Sequence, residues 1–171
     1  MTAPLTKRRL FGLPGEDLTG PESRALRTSL NLERRHVVAL CNALSLRRDE
    51  TTAQILTSWE RGRERGYPDS LVDVLEILET AVDRLALSMA EPLPPAASHQ
   101  TLRRPLGAKR ILALLSPGQM GLLFDEISLG LLDQSGGDFW LALADAAVSR
   151  AAVLLRRYGC TVSVVMDREP D

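Results

Sequence analysis

The chain has 171 residues but only two cysteines and two histidines. Cys41 and Cys160 share no partner spacing, so neither a disulfide framework nor a zinc site is expected. They read as small core residues of a cytoplasmic protein. No apolar run approaches the roughly 20 residues that a bilayer crossing needs. The apolar stretch Ile111–Leu115 is among the longest. Lys7-Arg8-Arg9 is followed by no apolar segment, so it does not read as a secretory signal. A glycine-rich phosphate loop, metal-spaced His or Cys pairs and a Gly-x-Ser-x-Gly elbow are all missing. Asp125-Glu126 is no metal pair, because adjacent helical residues face different ways. The expectation is therefore a non-enzymatic protein without metal or cofactor.

Net charge is also small, −1 in total, but unevenly spread. Residues 7–65 carry a net +4, and residues 66–90 a net −4. A basic block can be a nucleic-acid footprint, but on charge alone a solvated mixed-charge surface is the favoured reading. Apolar residues make up 44% and charged residues 25%, which suits one large folded domain or two small ones.

Residues 1–18 hold Gly12, Pro14 and Gly15 with little periodicity and read as an irregular arm. Thr19 followed by Glu22 forms a capping box, which starts a helix running to about residue 30 with Leu26 and Leu30 inward. Val37, Leu40, Cys41 and Leu44 recur at helical steps and predict a second helix over 33–44. A third is predicted over 50–61, with Ala53, Ile55 and Leu56 inward, Trp59 near its end and Gly62 as its stop. After Pro68, Asp69 or Ser70 should cap a long helix. There Leu71, Leu75, Leu78, Val82, Leu85 and Met89 form a heptad-like stripe, suited to ordinary core packing, to a second copy, or to both.

Residues 91–105 include Pro92, Pro94, Pro95 and Pro105 and read as a linker. Beyond it, 110–115 is strand or helical turn, and Ser116-Pro117-Gly118-Gln119 starts a helix reaching about residue 132. Asp138 should cap another helix over 139–158, ended by Gly159, and residues 161–166 read as a strand. That strand needs a partner, either 110–115 or its own copy. The fold class expected is mainly α: an N-terminal helix-turn-helix bundle over 19–90, then a small α(+β) dimerisation domain over 106–171 with a C-terminal strand.

Helices two and three are short, rich in arginine and separated by a polar turn. A helix-turn-helix protein reads base edges from the N-terminal part of its second motif helix. That part offers Arg48, Thr51, Thr52 and Gln54, extended by Ser58. Gln pairs with adenine, Arg with guanine, and Thr with bases or the thymine methyl. Arg34, Arg35, Arg47, Arg61, Arg63 and Arg65 suit phosphates, which give affinity and register. The same polar residues also suit a bundle that merely stays in solution. His36 falls beside Arg34 and Arg35 at a helix start, and His99 in the linker.

The segment from Ala25 to Leu32 and the run Trp59-Glu60-Arg61-Gly62-Arg63 resemble Xre-type helix-turn-helix regulators. Pro68-Asp69 before a long leucine-bearing helix extends the likeness, which covers residues 21–88. Within that group the chain is similar to anti-CRISPR-associated repressors. Phe139-Trp140, Ala147-Val148 and Gly159 echo their dimerisation domain more faintly. Between Leu32 and Trp59 this chain has several more residues than the usual motif, and 106–137 has no counterpart.

The resemblance implies a homodimeric repressor on inverted-repeat double-stranded DNA, with Leu78, Val82, Leu85, Phe139, Trp140, Val162 and Val164 as dimerisation residues. The alternatives are an antitoxin-like protein whose C-terminal domain binds a protein partner, and an adaptor that binds no DNA.

Overall fold

The structure is a computed structural model, described here for residues 18–43, 50–63, 66–104 and 138–165. It is mainly helical, with a two-stranded sheet near the C-terminus. The elements are α1 (Gly20–Ser29), α2 (Arg34–Ala43), α3 (Ala53–Glu60), α4 (Asp69–Ala90), β1 (His99–Arg103), α5 (Asp138–Arg157) and β2 (Thr161–Val165). The expected segments at 110–115 and 116–132 lie outside the described residues.

Local chemistry sets most boundaries. The capping box forms: Glu22 Oε2 accepts from the Thr19 amide at 2.8 Å, and Thr19 Oγ1 accepts from the Glu22 amide at 3.4 Å. Asn31, at φ 57, ends the α1 turn in the left-handed region that asparagine tolerates. Helix α3 begins later than the periodicity suggested. Asn42 bonds both the amide and the carbonyl of Thr51, at 2.7 and 3.1 Å, which keeps that residue out of the helix. Thr52 then caps α3 from an extended backbone. Ala53 is exposed rather than inward, while Leu56 and Trp59 are buried and Ile55 half-buried. Pro68, not Asp69 or Ser70, occupies the cap of α4 and makes no side-chain cap bond.

The leucine stripe of α4 is buried as its spacing implied, but against the same chain. Leu71, Leu75, Leu78, Val82 and Leu85 join Phe139, Trp140, Leu143 and Ala147 of α5 in one core with Leu30, Val37, Leu40, Leu56 and Trp59. Alanines at 142, 146, 147, 151 and 152 let α5 approach closely and bury several of its faces. Leu78, Val82, Leu85, Phe139 and Trp140 were expected to join two copies. All five are at most 7% exposed within one chain, so none offers a face to a second copy. Val162 packs partly against a second cluster of Ala86, Ala90, Leu102, Val148, Ala151, Leu155 and Cys160, and only Val164, 41% exposed, faces outward.

The linker reading also needs correction, because residues 99–103 form β1. It pairs with β2 in parallel, His99 opposite Thr161 through Arg103 opposite Val165. Pro92, Pro94 and Pro95 stop short of the ladder, where a missing amide would cost a hydrogen bond. Gly159, at φ 83, ends α5 and accepts from the Ala97 amide at 3.1 Å, bringing the two strands together. Core residues on both sides of the 91–105 segment thus pack together through α4 and α5.

Leu78→Ala and Leu143→Ala should each cost about 2–5 kcal/mol, as core truncations do. Both should shift one cooperative denaturant transition. Two transitions, with each variant moving only one, would contradict the shared core.

Candidate nucleic-acid interface

Glu60, the second residue of the Trp-Glu-Arg-Gly run, is a buried carboxylate whose side chain is 1% exposed. Arg27 donates from Nε to Oε1 at 2.5 Å and from Nη2 to Oε2 at 3.3 Å. The Tyr67 hydroxyl donates to Oε1 at 2.6 Å, and Arg34 Nε to Oε2 at 3.1 Å. Arg27 Nη1 also donates to the Leu32 carbonyl at 2.7 Å, fixing the turn between α1 and α2. One carboxylate therefore ties α1, α2, the end of α3 and the segment before α4.

Two glycines allow this closure. A Cβ on Gly20 would lie 2.4 Å from the Trp59 carbonyl oxygen, so the start of α1 rests directly on the end of α3. Gly62 sits at φ +69 with open space around it, so conformation rather than room favours glycine there. Trp59 packs edge-on to Tyr67 with centroids 6.3 Å apart.

Burial works to raise the Glu60 carboxyl. The hydrogen bonds from Arg27 and Tyr67, with the charges of Arg27 and Arg34, outweigh it and hold the group below its ordinary 4.5. Burial pushes the Tyr67 hydroxyl up, and its bond to Glu60 adds to that, so it stays a donor. Burial pushes the Cys41 thiol up to about 12, consistent with an inert core residue. His36 is buried as well. Its Nδ1 accepts from the Glu33 amide at 3.1 Å, and its ring meets Phe139 edge-on at 6.2 Å. Burial, then the nearby Arg35 charge, lowers its proton affinity against the pull of Glu33 and Asp138.

The expected base-reading residues divide sharply. Thr51 is 2% exposed, with its hydroxyl buried and unpartnered, so it cannot reach a base. Thr52 spends its hydroxyl on the α3 cap, though the residue remains exposed. Gln54 is exposed near the start of α3, and Ser58 is half-buried one turn on. Of the expected phosphate residues, Arg61 and Arg63 are exposed and form no ion pair among the described residues. Arg34 is 44% exposed but committed to Glu60, and Arg35 pairs with Glu33 and Asp138. Arg47, Arg48 and Arg65 lie outside the described residues. Sequence reasoning missed the central role of Glu60 and its partners Arg27 and Tyr67. The available signal was a carboxylate beside a core tryptophan at a helix end. Comparison with family models, curated proteins and solved structures finds no match.

Removing Glu60 alone leaves the buried Arg27 uncompensated, so Glu60→Gln should cost about 3–5 kcal/mol. Replacing Arg27 and Glu60 together by Met and Leu should cost less than the two single losses combined. A double-mutant cycle of unfolding free energies measures this, and strict additivity would contradict the coupling.

Acid should act in two windows. His36 favours its neutral form when folded, so stability falls as pH drops below 6.5. Glu60 favours its charged form, so a second loss sets in below 4.5 and continues through its depressed folded value. In denaturant titrations at stepped pH, His36→Gln should flatten the upper limb and leave the lower one. An unchanged upper limb would show that His36 does not titrate as described.

Proposed function

We propose that this protein is a sequence-specific double-stranded DNA-binding regulator, acting as a homodimeric repressor on an inverted repeat. The observation that carries this reading is the arrangement of α3 and the arginines after it. The inner side of α3 is fixed by Leu56, Trp59 and the Glu60 network. Its outer side presents Gln54, and two exposed arginines, Arg61 and Arg63, come just past its C-terminal end. A short helix with a locked inner face and a polar outer face has the dimensions of a major-groove reader. Flanking guanidiniums provide phosphate contacts that set register without reading sequence.

The geometry narrows the base-reading set expected from sequence. Gln54 becomes the foremost candidate, with Ser58 beside it. Thr51 leaves the set because it is buried. Arg34 and Arg35 act chiefly within the protein, through Glu60 and Asp138. A second copy would have to meet the first through surfaces other than the buried α4 stripe. No helix among the described residues is long and apolar enough to cross a membrane.

The test is binding to duplex DNA from the protein's own upstream region, measured by fluorescence anisotropy over a salt series. The expected result is affinity that falls steeply with salt, as counterion release requires. Arg61→Ala with Arg63→Ala should weaken binding to all duplexes and reduce the salt slope by about one per lost phosphate contact. Gln54→Ala should instead change base preference, by about 1–3 kcal/mol at one position. Parent-like binding by both variants would remove α3 as the DNA face. A monomer at micromolar concentration, bound and free, would remove the homodimer.

A further inference from the structure

The two-stranded sheet carries a hydroxyl-imidazole chain that DNA binding does not use. Side chains alternate between faces of a strand. His99, Thr101 and Arg103 therefore share a face with their partners Thr161, Ser163 and Val165. The other face holds buried Leu102 with half-buried Gln100 and Val162. On the outer face, Ser163 Oγ lies 3.1 Å from His99 Nε2, and Thr161 Oγ1 lies 3.0 Å from His99 Nδ1. Thr101 Oγ1 lies 3.3 Å from Ser163 Oγ, and Thr161 Oγ1 donates to the Ser98 carbonyl at 3.4 Å.

In the His99 tautomer that carries its proton on Nδ1, these bonds run in one direction. Thr161 gives its proton to the Ser98 carbonyl, which can only accept. In that tautomer its oxygen accepts from His99 Nδ1–H. A neutral imidazole has one donor and one acceptor nitrogen, so Nε2 accepts. The group facing Nε2 is the Ser163 hydroxyl, and Ser163 Oγ in turn accepts from Thr101. The result is a nucleophile in contact with a base, and a base oriented by a third group.

From this geometry we infer that Ser163 is a nucleophilic serine that accepts acyl groups, with His99 as its base and Thr161 as a positioning residue. His99, Thr101 and Thr161 are exposed and Ser163 is half-buried, so the site suits small, unhindered, activated acyl donors such as aryl esters. Ser163 Oγ forms a bond to the acyl carbon while its proton passes to His99 Nε2. The bond from the acyl carbon to the leaving oxygen breaks, and the leaving group departs as the phenolate. His99 then returns its proton to solvent, and the acyl group stays on Ser163. Arg103 is exposed on the same face one repeat of about 6.6 Å along β1 from Thr101. Thr161 lacks the charge of a triad carboxylate, so acylation is slow compared with that of a dedicated hydrolase.

The test is exposure of the full-length protein to p-nitrophenyl acetate at neutral pH, with the adduct located by peptide mass mapping. The expected adduct is one acetyl group on Ser163, lost in Ser163→Ala. His99→Gln should slow its formation at least tenfold. Thr161→Val should slow it as well, while Thr161→Ser should restore it, which a purely structural role for the β-branched side chain would not do. If His99→Gln disturbs the strand pair, Thr161→Val still decides, because it leaves nucleophile and base in place. Acetyl found only on Lys7, Lys109 or the amino terminus would overturn the inference. So would equal acetylation of Ser163 in the parent, His99→Gln and Thr161→Val proteins.

Discussion

The Glu60 carboxylate is the constraint on which the helical layer depends. A buried carboxylate is costly unless every lone pair is used and opposite charge is close. Here two guanidiniums and a phenol converge on it from three separate parts of the chain. Hydrogen bonds need fixed distances and angles, so this cluster sets the relative positions of α1, α2 and α3 more narrowly than apolar contacts would. Trp59 and Leu56 supply hydrophobic burial beside it, and Gly20 permits the close approach. The outward face of α3 is rigid because its inward face has one permitted arrangement.

Helix α5 extends that rigidity across the molecule. Its N-terminal end meets α2 through Asp138 with Arg35 and through Phe139 with His36. Farther along, Arg150 reaches Glu79 and Asp83 of α4 and donates to the Ser29 carbonyl at the end of α1. Exposed ion pairs contribute little individually. The main attachment is the apolar contact between α4 and α5, and the polar contacts select its register. A helix expected to serve a separate assembly domain instead completes the core of the N-terminal helices.

Much of the fold was legible in the sequence because it rests on local chemistry. The Thr19 capping box, the four- and three-residue steps of α4, the stops at Gly62 and Gly159, and the strand at 161–165 all express short-range preferences. The partner of a face was not legible. An apolar stripe such as Leu71 to Leu85 shows that something covers it, but α5 and a second copy satisfy the same periodicity. Residues 99–103 escaped because proline density outweighed a short polar strand whose stability comes from pairing with β2. Within the candidate site, Gln54, Arg61 and Arg63 lie exposed, as their polarity suggested. Thr51 does not, because Asn42 captures its backbone. Glu60 was hidden for a general reason: a charged residue announces exposure, and only distant Arg27 and Tyr67 make its burial stable.

The central claim is that α3 and the arginines after it form the face that meets DNA while the Glu60 network stays intact. Amide chemical-shift mapping of the labelled protein with a specific duplex tests this most directly. The account predicts perturbations concentrated at Gln54, Ser58, Arg61 and Arg63, with the Arg27 and Arg34 guanidinium signals unchanged. Perturbations confined to α5 or the β1–β2 sheet, with α3 silent, would contradict it.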